Sequence, residues 1–268
     1  LGEAKDRLIV PEGVVGIEAE GGDAHAALPN TGIRRLGEAM SETSAVVIGA
    51  SGGIGGALAR QLEAAGHHAV VHALSRSGTG LDLEDEASIR DAAARIAEGP
   101  PPALVIVATG ILHGEHSPER SYRALTAEHL MRDYRLNAIG PALVAKHLLP
   151  LMPRESRGVF TALSARVGSI GDNRLGGWHA YRASKAALNM LIRNLAIEHG
   201  RTHKAGIVVG LHPGTVATDL SAPFQAGVAP DKLFTPEHSA AALLSVVDGL
   251  APADSGGVFA WDGQRIPA

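Results

Sequence analysis

Hydrophobic and polar positions change along this chain on two length scales. Short runs rich in Val, Ile and Leu occupy residues 45–49, 69–74, 103–108, 158–163, 206–211 and 257–261. Nearly continuous apolar character over such short spans predicts strands buried on both faces. Between them, residues 54–65, 86–97, 127–149, 178–199 and 236–250 carry apolar side chains at the spacing of a helix face. Strands alternating with helices predict a parallel sheet covered on both sides. The expected fold is therefore α/β, a doubly wound parallel sheet of Rossmann type forming a single domain over residues 41–268. In such a sheet the ligand crevice lies outside the carboxyl ends of the strands, where the strand order reverses.

Residues 1–40 sustain neither period. Scattered Gly and Pro mix there with acidic side chains, and no apolar face recurs. They are expected to form a poorly ordered N-terminal extension, and a chain beginning at Met40 is expected to fold and bind its ligand like the whole. The segment lacks the uninterrupted apolar core of a signal peptide, and its acidic residues argue against a transit peptide.

Composition removes several function classes. A net charge of -4 with both signs interspersed leaves no basic stripe, so nucleic acid is not an expected partner. No apolar run approaches the ~20 residues of a spanning helix, so no membrane is expected either. The absence of Cys excludes a disulfide framework, thiolate catalysis and Cys-bearing zinc sites. A cytoplasmic protein is expected. The 13 His show no H-E-x-x-H or similar spacing, and no metal is expected. A G-x-S-x-G nucleophile elbow is also missing.

Two short segments carry chemistry. "VVIGASGGIGGAL", residues 46–58, places Gly49, Gly52, Gly53, Gly55 and Gly56 between the first strand and the first helix. Backbone without Cβ atoms lets a pyrophosphate approach closely, and the unsatisfied N–H groups of the helix start point at it. A tight turn alone would account for one or two glycines. The second segment is "YRASK", Tyr181 to Lys185, in a helical stretch. Residues four apart share a helix face, so phenol and ammonium can be neighbours. A cation there is expected to lower the phenol pKa and make Tyr181 a better proton donor and acceptor. Alone, the same spacing fits a solvated helix face.

Together these segments resemble the short-chain dehydrogenase/reductase family, from about Ser44 to the C-terminus. "GASGGIG" is similar to that family's cofactor turn, which implies cofactor contacts at Gly49, Ser51, Gly53, Ile54 and Gly55. "ATG", Ala108, Thr109 and Gly110, stands where the family has N-A-G. Asn137 in "RLNAIGP" matches the helix Asn that supports a water relay to the lysine. "YRASKAALN" matches the catalytic helix, and "HPGTVATDL" the loop beside the nicotinamide, implying Pro213, Gly214, Val216 and Thr218. The stretch "GSIGDNRLGGWHAYRASKAALNM" further resembles the C-factor-like carbonyl reductase branch.

The resemblance implies an oxidoreductase in which Tyr181 protonates the substrate, Lys185 tunes Tyr181 and holds the ribose, and a serine polarises the carbonyl. Ala165 stands at the family's serine position, with Ser164 one residue earlier and Ser169 as a more distant substitute. A one-residue shift in a strand reverses the side on which a side chain points, so Ser164 can serve only where the strand has bent into loop. Where relatives that bind NAD carry an acid for the ribose 2'-hydroxyl, this chain has Ser75 and Arg76. A guanidinium pairs with a 2'-phosphate that an acid would repel, so NADP(H) is expected. Asp82 and Leu83 stand where the family contacts adenine. The implied function is reduction of a ketone or aldehyde to an alcohol at the expense of NADPH, in a homodimer or homotetramer. A nucleotide-binding regulatory protein without turnover, and an epimerase or dehydratase with retained cofactor, remain as alternatives.

Overall fold

The computed structural model describes residues 42–114 and 116–268. The expected extension over residues 1–40 lies outside the described residues. From Ser44 the chain runs β1 (Ser44–Ile48), α1 (Gly53–Ala65), β2 (Val70–Leu74), the single turn α2 (Arg76–Thr79), α3 (Glu86–Ala97) and β3 (Pro102–Val107). It continues through α4 (Ala127–Tyr134), α5 (Gly140–Leu148), β4 (Gly158–Leu163), α6 (His179–His199), β5 (Gly206–His212) and the short β6 (Thr215–Val216). Then follow β7 (Leu233–Phe234), α7 (Pro236–Gly249) and β8 (Val258–Ala260).

Six strands form one parallel sheet in the order β2-β1-β3-β4-β5-β8. The order reverses between β1 and β3, which is where a doubly wound sheet is expected to hold its ligand, above their carboxyl ends. All six strands and the doubly wound arrangement agree with the sequence pattern. No described helix is long and apolar enough to cross a membrane.

Alternation along the strands assigns each side chain to a layer. Val46, Ile48, Val105, Val107, Phe160 and Val208 point to one face, where Ile89 of α3, Val144 and Leu148 of α5 and Leu188 and Ile192 of α6 cover them. Ala45, Val47, Leu104, Ile106, Ile207 and Val209 point to the other, against Leu58 and Leu62 of α1 and Leu243 and Val247 of α7. Both faces are dry, which is why the strands read as continuous apolar runs.

The helix expected over 127–149 is interrupted. Between α4 and α5, residues Arg135–Ile139 form a π-helical turn in which the N–H of Gly140 reaches back to the Arg135 carbonyl. Pro141 has no N–H to offer the carbonyl four residues earlier, that of Asn137, so the regular ladder cannot pass through this point. Hydrophobic periodicity is blind to one extra residue per turn.

The glycine turn is the tightest part of the fold. Gly49 has φ 91°, in the left-handed region, and a Cβ on it would meet the Ala108 carbonyl oxygen at 2.9 Å. A Cβ on Gly55 would lie 2.2 Å from the Gly49 carbonyl oxygen, a backbone atom that cannot step aside. Gly55→Ala is expected to destabilise the protein by about 3 kcal/mol or more. Thermal unfolding of the variant should show a melting temperature lower by roughly 6–12 °C.

Candidate functional site

Gly52 caps the N-terminus of α1 without a side-chain acceptor, so the first-turn N–H groups face the crevice. Gly53 lies directly beneath the loop that follows β5, and a Cβ there would stand 2.8 Å from the Thr218 methyl. Ser51 is exposed beside it and Ile54 is half-buried. On the opposite wall, Ala108, Thr109 and Gly110 leave β3, with the Thr109 hydroxyl buried and without a hydrogen-bond partner. Ser239 of α7 donates to the Pro213 carbonyl at 2.9 Å and fixes the Pro213, Gly214, Val216 and Thr218 loop over the glycine turn. The space between these walls has backbone donors at one end and a spare hydroxyl midway. It suits an extended dinucleotide.

At the far end of the crevice, Ser75 caps α2 by accepting from the Gly78 N–H at 3.0 Å, which leaves Arg76 exposed immediately after β2. Asp82 accepts from the Glu84 N–H at 3.0 Å, so its carboxylate already shapes its own loop. Leu83 is buried against Gly140.

Tyr181 and Lys185 belong to the buried stripe of α6, together with Ser184, Leu188 and Ile192. They are 9% and 3% exposed, which removes the reading of a solvated face. The Lys185 ammonium donates to the Leu163 carbonyl at the end of β4 at 2.8 Å and lies 5.8 Å from the centre of the Tyr181 ring. Gly110 closes over it, a Cβ there falling 3.5 Å from Nζ. Asn137, in the π-helical turn, is fully enclosed. Its Oδ1 accepts from the Ile111 N–H at 2.9 Å, while Nδ2 donates to the Ile111 carbonyl at 2.9 Å and to Ser184 Oγ at 3.1 Å. One side chain thus ties the loop after β3 to α6.

The electrostatics differ from the expectation for an isolated Tyr–Lys pair. Burial pushes the Tyr181 phenol above its ordinary pKa, and the neighbouring Asp133 carboxylate adds to the same direction. The cation does not overcome this, so the expected lowering is not found in the protein by itself. Burial also pushes Lys185 down to about 8, with Asp133 acting in opposition.

Strand alternation sends the side chains of Ser164 and Ala165 to opposite faces. Residue 164 has the parity of Phe160 and Ala162, whose layer lies under α6. Its N–H is still laddered to the Leu211 carbonyl, and its hydroxyl donates to Asn189 Oδ1 at 2.6 Å. Ala165 turns the other way and packs with Tyr181 and Leu112, next to Val167, Trp178, Leu220 and Phe224. Ser169 accepts from the Asp172 N–H at 3.1 Å within its own loop. The wall nearest the Tyr181 ring is therefore apolar.

Glu119, His129 and Asp133 escaped sequence reasoning. Glu119 accepts the Ala180 N–H with its carboxylate at 3.2 Å and the Trp178 N–H with its backbone carbonyl at 2.5 Å. It thereby anchors the first turn of α6. Trp178 itself sits at φ 50°, an uncommon conformation for a bulky residue, with its ring 5.1 Å from Phe224 and 6.3 Å from Tyr181. Nothing in the loop sequence around Glu119 marks it. His129 and Asp133 could have been noticed, since they precede Asn137 at successive spacings of four on the same helical face.

Comparison with known proteins agrees with this arrangement. The chain is 32% identical over 227 residues to the 1-hydroxy-2-glutathionyl-2-methyl-3-butene dehydrogenase of Rhodococcus sp. (strain AD45), covering 80% of this chain and 94% of that protein. It is 36% identical over 138 residues to the C-signal protein of Myxococcus xanthus, covering 52% and 78% of the two chains. Among solved structures, the NADPH-bound carbonyl reductase from chicken fatty liver superposes with a TM-score of 0.69 at 26% identity, over 85% of this chain and 99% of that one. The sequence profile of the short chain dehydrogenases matches residues 43–229. With the glycine turn, the buried Tyr181–Lys185 pair and the reversed strand order in place, the chain belongs to the short chain dehydrogenase family of oxidoreductases.

Proposed function

We propose that this protein reduces a ketone or aldehyde to an alcohol with NADPH. The observation that carries the reading is the burial of Tyr181 and Lys185 side by side at the carboxyl ends of the strands, opposite the glycine turn. When bound, the nicotinamide supplies the hydride. Gly49, Ser51, Gly53, Ile54 and Gly55 would hold the pyrophosphate, Ser75 and Arg76 the ribose phosphate, Asp82 and Leu83 the adenine. Ala108, Thr109 and Gly110 would line the other wall, with Pro213, Gly214, Val216 and Thr218 closing on the nicotinamide side.

The chain's own residues manage the proton. Tyr181 donates from Oη to the substrate oxygen as that oxygen becomes an alkoxide. The Lys185 ammonium, protonated at neutral pH, stabilises the phenolate left behind. Asn137 holds the Ile111 loop and α6 in register, so that both groups face one point. Ser164 is engaged with Asn189, and Ala165 offers no donor, so Tyr181 is the side chain that polarises the carbonyl. Leu112, Ala165, Trp178, Leu220 and Phe224 enclose the ring, which suits a carbonyl compound with an apolar body. Assembly of two or four copies in the cytoplasm completes this reading. Met131, Ile139, Met190 and Ile197 present exposed apolar side chains suited to a contact between copies.

Three measurements test it. Tyr181→Phe should abolish NADPH oxidation over a panel of ketones and aldehydes while NADPH affinity stays within a few fold, because the ring still packs but the proton donor is gone. Full activity in that variant would refute the mechanism. NADPH should bind at least about tenfold more tightly than NADH, and Arg76→Ala should erase most of that ratio in fluorescence titrations. Ser164→Ala should lower turnover less than about tenfold, whereas Ala165→Ser, which adds a donor beside Tyr181, should raise it. A loss of about a hundredfold in Ser164→Ala would instead identify Ser164 as the carbonyl donor.

A further inference from the structure

Behind the Tyr181–Lys185 pair lies a chain of buried charged groups that the proposed reaction does not use. Glu119, His129 and Asp133 are 3%, 4% and 1% exposed. His129 Nδ1 is 3.1 Å from Glu119 Oε1, and its Nε2 is 3.8 Å from Asp133 Oδ1. Neither Asp133 oxygen has a hydrogen-bond partner. A buried carboxylate that served only the fold would be expected to cap a backbone group or accept from a hydroxyl. This one does neither, although leaving it bare is costly. Among the described residues no group of three His, Asp or Glu side chains is arranged to hold a metal ion.

The position of Asp133 supplies the reason. It stands one helical turn before Asn137, whose amide touches Ser184, while Glu119 holds Ala180. Asp133 is buried in α4 where that helix packs against α6, and its charge acts on both Tyr181 and Lys185. The groups around it are few. His129 and Arg132 lie on its own helix, Glu119 on the preceding loop, and Lys185 on α6. The imidazole, the guanidinium and the ammonium favour its ionised form, and Glu119 opposes them.

We propose that Asp133 is a positioning residue, a buried counter-charge beside His129 that holds the Lys185 ammonium in its charged form beside Tyr181. This rests on Tyr181 and Lys185 being the reacting pair. Burial raises the Asp133 carboxyl most, and against the opposing pull of His129, Arg132 and Lys185 it is pushed up to about 6, so it is ionised at neutral pH. There it offsets the desolvation that draws the proton off Lys185, and it disfavours ionisation of the Tyr181 phenol. Both effects keep the proton where carbonyl reduction needs it. Losing the carboxylate moves both groups the same way, toward deprotonation at lower pH.

The test reads Lys185 directly and needs no substrate. Full-length protein is prepared with lysine isotopically labelled at Cε, and the Lys185 signal is assigned by its absence in Lys185→Arg. In Asp133→Asn the ammonium should lose its proton at a roughly tenfold higher proton concentration than in the wild type. Asp133→Glu should restore the wild-type titration. An unchanged Lys185 titration in a folded Asp133→Asn protein would overturn the proposal. If that variant does not fold, Asp133→Ser is read in the same way, and failure of both to fold would make the carboxylate structural, which also overturns it. In the active enzyme the basic limb of kcat/KM should move to lower pH with the titration. A shifted titration in a protein that reduces no carbonyl would uphold the counter-charge and count against the reductase reading alone.

Discussion

The hydrogen bond from the buried Lys185 ammonium to the Leu163 carbonyl joins α6 to the carboxyl end of β4. An ammonium 3% exposed is tolerated only with good partners, because desolvation alone would neutralise it. The surrounding structure supplies them. Leu163 offers its carbonyl at the end of β4, and Asp133 offers a counter-charge from α4. Asn137 and Glu119 then fix the N-terminal end of α6 by holding Ser184 and Ala180. The position of Tyr181 follows from where the lysine can be buried.

The layers of the fold were readable in the sequence because both faces of the sheet are covered. Val46, Phe160 and Val208 on one side and Val47, Ile106 and Val209 on the other are equally dry, so strands appear as unbroken apolar runs. The glycine turn was readable for a related reason. A backbone oxygen 2.2 Å from where a Cβ would stand leaves no choice of residue at Gly55. The π-helical turn at Arg135–Ile139 was not readable, since an apolar stripe tolerates one inserted residue. Pro141 was its trace in the sequence.

Within the site, residue identity carried less than orientation. Ser164 and Ala165 are neighbours, but strand parity sends the hydroxyl under α6 to Asn189 and the methyl toward Tyr181. The spacing of Tyr181 and Lys185 suggested an acidified phenol, whereas burial, a property of the tertiary structure, reverses that sign. Glu119 and Asp133 act through contacts across distant parts of the chain, which no local pattern records.

An apolar wall, a single phenolic donor and a lysine with a buried carboxylate as counter-charge fit the proposed transfer of one proton in step with one hydride. The most direct test is isotopic. NADPH carrying deuterium at both C4 positions should place one deuterium on the carbinol carbon of the alcohol formed from a reducible carbonyl compound, with one cofactor oxidised per alcohol. Formation of product without deuterium at that carbon, or without net oxidation of the cofactor, would contradict the account.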